Sequence, residues 1–184
     1  MKGWLAALLL CAVSVSCAQQ RPPGHIFWVN VPFVAQTKDG CGSASIAMLM
    51  RYWDAQQHQA VTQAADPQHV QAILFSPKAH GIYAGRMQQY LSTHGYLAFA
   101  FAGTWRDIDH NLRLGRPLIV GLAASGAHGP LHYVVVVGVD PAQEYVYLND
   151  PAQQKMLRIS REGFEREWKG TDNWTLLAVP QSPR

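Results

Sequence analysis

Apolar and polar positions divide this chain into a leading apolar run, a helix-spaced first half and a strand-spaced second half. Trp4 to Val15 is an almost unbroken apolar stretch of 12 residues behind Lys2. A membrane-spanning helix needs about 20 apolar residues, so this run fits the hydrophobic region of an export signal better than an anchor. Gln19 to Gly24 is a polar, proline-rich lead-in. Ile26 to Val31 is predicted as a short strand, and Phe33 to Gly40 as a loop with Lys38, Asp39 and Gly40 as turn residues. From Cys41 the spacing changes. Ala44, Ala47, Met48 and Arg51-Tyr52 recur at helical intervals, which predicts a helix over 41–57. Asp66-Pro67 starts a second helix that runs to Phe75. A third covers Gly85 to His94 and stops at Gly95. Tyr96 to Phe101 is predicted as a strand, and Thr104 caps a helix over Trp105 to Leu114.

The second half reads differently. Pro117 to Ala123 and His132 to Val139 are apolar and β-branched, as buried strands are. Asp140-Pro141-Ala142-Gln143 is a turn, and Glu144 to Asn149 is the return strand. Lys155 to Ile159, a short helix from Ser160 to Trp168 and a last strand from Trp174 to Val179 complete the pattern. Helices followed by an antiparallel sheet make an α+β class. No internal repeat or linker interrupts residues 19–184, so one domain is expected there.

At 184 residues the chain is long enough for one real core. With 48% hydrophobic and 15% charged residues it is not a disordered composition. The formal net charge of +3 is dispersed, without a Lys/Arg run, which argues for a solvated surface and no nucleic-acid partner. Ser16-Cys17-Ala18 offers a small-residue cleavage site after Ala18, giving a signal peptide of 1–18. Val15-Ser16-Cys17 offers a second route, a lipoprotein signal of 1–16 with an acylated Cys17. Either route implies an exported protein, periplasmic or held at the membrane surface by a lipid. Of Cys11, Cys17 and Cys41, only Cys41 then remains as a thiol.

Four residues carry candidate chemistry. Cys41 lies between Gly40 and Gly42 at the start of a predicted helix. Free N–H groups and partial positive charge at a helix N-terminus favour a thiolate, the nucleophilic form. The plain structural alternative is a buried cysteine beside a glycine turn. His132, unlike most of the eight histidines, opens a buried strand, where a polar ring needs a partner. His128, in the loop before it, is a rival. Asp150 follows from hairpin arithmetic. A turn on Pro141-Ala142 puts His132 opposite about residue 151, and Asp150 beside it at the open end. Asn149 is its neighbour, but side chains alternate, so only one of the two faces His132. The plain reading of Asp150 is a turn residue, like Asp140. Gln36, five residues before Cys41, is a candidate amide donor for an oxyanion.

The segment Val31-Pro32-Phe33-Val34-Ala35-Gln36 through Cys41-Gly42-Ser43-Ala44 to Met48 resembles the signature of the C39 (bacteriocin-leader, double-glycine) cysteine peptidases. His132-Tyr133 with its run of valines, and Tyr147-Leu148-Asn149-Asp150-Pro151, resemble that family's His and Asp-Pro blocks, in family order. Gly40 stands where the family often has Asp, with Asp39 one residue early. The resemblance implies a papain-like fold with Cys41 as nucleophile, His132 as base, Asp150 as orienting acid and Gln36 as oxyanion donor. It also implies a peptide or protein substrate cut after Gly-Gly or Gly-Ala, no cofactor and no metal. Many relatives form the front end of an ATP-driven exporter. This sequence has no nucleotide loop, so ATP binding is not expected and a separate secretion-system partner is. Acyl transfer, amide cleavage in peptidoglycan or glutathione, and a non-catalytic peptide-binding module are the competing readings.

Overall fold

The computed structural model describes residues 26–123 and 131–181. The expected export signal and the rival His128 lie outside the described residues. Helix α1 (Cys41–Gln56), α2 (Pro67–Leu74) and α3 (Ala84–Thr93) occupy the first half. Asp66 caps α2, its carboxylate accepting from the N–H groups of Gln68 (2.8 Å) and His69 (2.9 Å) ahead of Pro67. Strands β1 (Phe27–Trp28), β2 (Tyr96–Ala102), β3 (Leu118–Ala123), β4 (Leu131–Asp140), β5 (Tyr145–Asn149), β6 (Leu157–Ser160) and β7 (Trp174–Pro180) form one antiparallel sheet. Its order is β2-β7-β3-β4-β5-β6, with β1 beside the far end of β4. Helix α4 (Trp105–Arg113) opens with a Thr104–Asp107 capping box, and α5 (Arg161–Lys169) with a Ser160 cap.

The sheet is covered on both faces, which explains why β4 carries an unbroken run of valines from Val134 to Val137 and does not alternate. Val135 and Val137 face α1 together with Ile119, Tyr133 and Leu176. Val134, Val136 and Val139 face the other way, toward Ile108 of α4 and Phe164 and Trp168 of α5. Each fully buried aliphatic side chain here contributes about 1.5–3 kcal/mol. Val137 and Val139 lie on opposite faces because a bulge between Val136 and Gly138 inserts one residue into the ladder with β5. α1 is buried from Gly42 to Met50, between the sheet and α2 and α3.

Two expectations need correction, and two short elements were not expected. The strand over 26–31 shrinks to Phe27–Trp28. The N–H of Val29 still donates to the carbonyl of Val137, but that of Val31 bends back to the carbonyl of Val29, and the chain turns away from the sheet. The strand expected from Lys155 starts at Leu157. Met156 sits at φ +57° with its N–H on the Asn149 side chain. Two short 3-10 turns, Gln63–Ala65 and Pro77–Ala79, carry no periodicity that would announce them.

Candidate active site

The tight turn before α1 sets the position of Cys41. The N–H of Gly40 donates to the carbonyl of Thr37 (3.0 Å), and Asp39 takes a left-handed φ of +55°. A Cβ on Gly40 would lie 2.8 Å from Gln71 Oε1 and 3.0 Å from the Thr37 carbonyl, so a larger residue here would have to displace the Gln71 side chain. Helix α1 has no side-chain N-cap and no acidic residue in its first turn. Its first N–H groups therefore stay available beside the half-buried thiol. Gly42 lets the helix start press against Ile82 and the Tyr133 ring, where a Cβ would meet atoms at 3.2 and 3.4 Å.

Gln71 of α2 clamps this turn. Its Oε1 accepts from Thr37 Oγ1 (2.9 Å) and Ser43 Oγ (3.2 Å), and its Nε2 donates to the Lys38 carbonyl (2.9 Å). One more glutamine on an amphipathic helix gives no signal in sequence, so its part was missed. Each such bond contributes about 1 kcal/mol, and a displaced catalytic group loses rate steeply. Gln71→Ala is expected to lower kcat roughly 10-fold with little change in KM. Steady-state kinetics on a peptide substrate check this; unchanged kcat would show that the turn holds itself.

His132 and Asp150 meet at the opposite side of the site. Val135 pairs with Asn149 and Val136 with Leu148. Continued outward, this register sets Asp150 across from Val134, diagonal to His132 and on the same face. The His132 Nε2–H donates to Asp150 Oδ1 at 2.7 Å. Asn149 points the other way, its Nδ2 donating to the Val31 carbonyl (3.1 Å). Asp150 is only 3% exposed. It accepts further bonds from the Ala152 N–H (2.9 Å) and from Gln153 Nε2 (2.6 Å), a partner the sequence reading missed.

Burial alone would push the charged imidazole down. The hydrogen bond of His132 with Asp150, and the charges of Asp150 and of the nearby Cys41, outweigh burial and raise its pKa to about 9. Burial raises the Asp150 carboxyl, but His132 and the bonds from Ala152 and Gln153 hold it below the ordinary carboxylate value. Nε2 is taken by Asp150, so the ring interacts with Cys41 through its other edge. Beside them the Tyr133 hydroxyl is buried without a partner among the described residues. Burial and the nearby Cys41 charge keep it protonated.

Gln36 belongs to the same cluster through its backbone. Its N–H donates to the Pro151 carbonyl (2.9 Å), tying the loop that leads into Cys41 to the segment that carries Asp150. Its Oε1 is buried and unpaired among the described residues. A cleft of about 440 Å³ opens beside His132 and Asp150, floored by Leu122, Leu148, Leu157 and Ile159. Of the residues singled out in the sequence, His132 of β4 and Asp150 after β5 are bonded directly, Cys41 opens α1 near the imidazole, and Gln36, in the loop before α1, is tied to the Asp150 segment through its backbone. The arrangement can shuttle a proton between a sulfur and an incoming or leaving group, with the imidazole steadied by a buried carboxylate.

The family described as Peptidase_C39 like family matches residues 28–175. No curated protein matches the sequence. Among solved structures, a C39-like peptidase from Bacillus anthracis superposes with a TM-score of 0.69 at 19% identity, covering 86% of this chain and 100% of that one. The peptidase domain of Streptococcus ComA, a bi-functional ABC transporter, gives 0.63 at 22% identity, covering 83% and 100%. A double glycine motif protease from an AMS/PCAT transporter, solved in complex with the leader peptide, gives 0.61 at 22% identity, covering 84% and 94%. These likenesses establish the papain-like C39 fold.

Proposed function

We propose, on the premise that this chain belongs to the Peptidase_C39 like family, that it is a cysteine endopeptidase acting on an exported peptide. The observation that carries the reading is the placement of His132, bonded to Asp150 at 2.7 Å and interacting with Cys41. Cys41 is the nucleophile. His132 takes its proton, and the thiolate attacks the scissile carbonyl. The Cys41 N–H at the uncapped start of α1 and the Gln36 amide stabilise the oxyanion. The imidazolium then protonates the leaving amine, and the nitrogen departs. His132 next activates water, which attacks the thioester and regenerates the thiol. Asp150 holds the ring in orientation throughout.

The substrate is a leader or surface-assembly peptide cut after Gly-Gly or Gly-Ala. The likeness to a double-glycine protease solved with its leader peptide supports a peptide occupant of this type. Export, to the periplasm or to a lipid-anchored position through Cys17, and work alongside a secretion system complete the proposal. The test is mass spectrometry of peptides bearing Gly-Gly or Gly-Ala junctions after incubation with the protein. Two fragments split after the second residue of the junction support it. An intact peptide, or a product carrying an added amine, contradicts hydrolysis at that site. Gln36→Ala is expected to slow the same cleavage about 100- to 1000-fold while Cys41 stays alkylatable. Full activity in that variant would remove Gln36 from the oxyanion site.

A further inference from the structure

The far end of α1 carries a second polar cavity that the cysteine chemistry does not use. Asp54 lies 13 residues beyond Cys41 on the same helix, or about 20 Å along its axis. The cavity encloses about 660 Å³, and Asp54, Gln57, Thr62, Tyr96 and Gln181 line it. Asp54 is 7% exposed, and its Oδ2 is fully buried without a hydrogen-bond partner among the described residues. The helix end and the burial both disfavour a bare carboxylate there. The last turn of α1 has no basic residue, and the carbonyl end of a helix is its negative pole. Burial raises the Asp54 carboxyl, and its charge adds to the burial that keeps the Tyr96 phenol protonated. His94, also at the cavity, stacks on Tyr90 and has its Nδ1 engaged by the Tyr90 carbonyl at 2.7 Å.

The surroundings of Asp54 supply what a cation needs. Gln57, Gln59 and Gln181 bring side-chain amides to its wall, Thr62 and Tyr96 bring hydroxyls, and Met50, Ala64 and Pro180 add apolar surface. Separate amide and hydroxyl oxygens beside a single carboxylate suit an ammonium, a compact charge with three rotating donors, better than the flat fork of a guanidinium. We propose that this cavity binds a primary ammonium on a short aliphatic stem, as in a lysine side chain or a small alkylamine, with Asp54 as its counter-ion. The site is independent of the peptidase reading.

The test uses Cys41→Ala protein, so that no turnover intervenes. Butylammonium, its neutral isostere butanol, and a blocked lysine (N-acetyl-lysine amide) are titrated by calorimetry and followed by the amide NMR signals of Thr62 and Tyr96. Saturable binding of butylammonium and not of butanol is expected, at least 10-fold weaker in Asp54→Asn. Asp54→Asn removes a buried carboxyl whose Oδ2 has no partner among the described residues, and is expected to raise Tm in the absence of amine. Tyr96→Phe, with its fold kept, is expected to weaken binding several-fold and provides the check should Asp54→Asn not fold. Blocked lysine binding more tightly than butylammonium would assign the source to a peptide or protein, and the reverse order to a free amine. Equal binding of butanol, or unchanged affinity in Asp54→Asn or Tyr96→Phe, would overturn the site.

Discussion

Replacing Cys41 by alanine is expected to abolish peptide cleavage while leaving the fold intact. Removing the covalent nucleophile of an acyl-transfer triad costs on the order of 10⁶-fold in turnover. No other described thiol stands near His132 to substitute, because Cys41 is the free cysteine among the described residues. The side chain is only half-buried at the start of α1, and alanine is a good helix former. The circular dichroism spectrum and Tm should therefore stay close to those of the parent protein. Product formation measured by mass spectrometry checks the loss. Cleavage at the parental rate would remove the sulfur from the chemistry altogether.

Asp150→Asn is the second large effect, and its sign is read from pH. In the parent protein His132 is raised to about 9 despite its burial, with Asp150 supplying both a hydrogen bond and charge. The imidazolium that protonates the leaving amine therefore persists to about pH 9, and kcat/KM is expected to fall above it. The asparagine amide keeps the shape but removes the charge. Burial then weighs more heavily, and the alkaline limb should move toward the ordinary histidine value of about 6.5. A fall in kcat of about 10²- to 10⁴-fold accompanies it, as when other triads lose the orienting carboxylate. An unmoved alkaline limb would contradict the role given to Asp150.

The same pair sets a pH window for stability. His132 is raised on folding, so its contribution is complete below about pH 6.5 and is lost as pH rises through about 9. Asp150 is lowered, so its contribution is present above about 3.8 and is lost as pH falls through its depressed value.

How much of this was legible in the sequence depends on whether the signal is local. The boundaries of α1 and the cap of α2 are read correctly because Gly40, Asp66 and Pro67 act within one turn. The choice of Asp150 over Asn149 is more instructive. The tetrapeptide Asp-Pro-Ala-Gln occurs twice, at 140–143 and 150–153. At Asp140 the carboxylate accepts from the N–H groups of Ala142 (3.1 Å) and Gln143 (3.0 Å), a pure turn. At Asp150 the same turn bond to Ala152 forms, and the carboxylate also takes His132. Local chemistry is alike at the two sites; only the strand that lies alongside differs. Hairpin counting found that strand but missed the bulge near Gly138, since a glycine among valines does not announce an inserted residue. The Gln71 clamp and the Gln153 bond were invisible for a related reason. Glutamine is frequent on solvated faces, and its partners lie across the fold or on the far side of a turn.

The central claim is that Cys41 and His132 act as one unit, and trapping the sulfur tests it most directly. Parent protein, Cys41→Ala and His132→Ala are treated at neutral pH with a thiol-directed peptide inhibitor, and intact mass and peptide mapping locate the adduct. One adduct on Cys41 is expected in the parent, none at that position in Cys41→Ala, and a rate at least 100-fold slower in His132→Ala. Labelling of Cys41 in His132→Ala at the parental rate, or a folded parent whose Cys41 takes no adduct, would contradict the account.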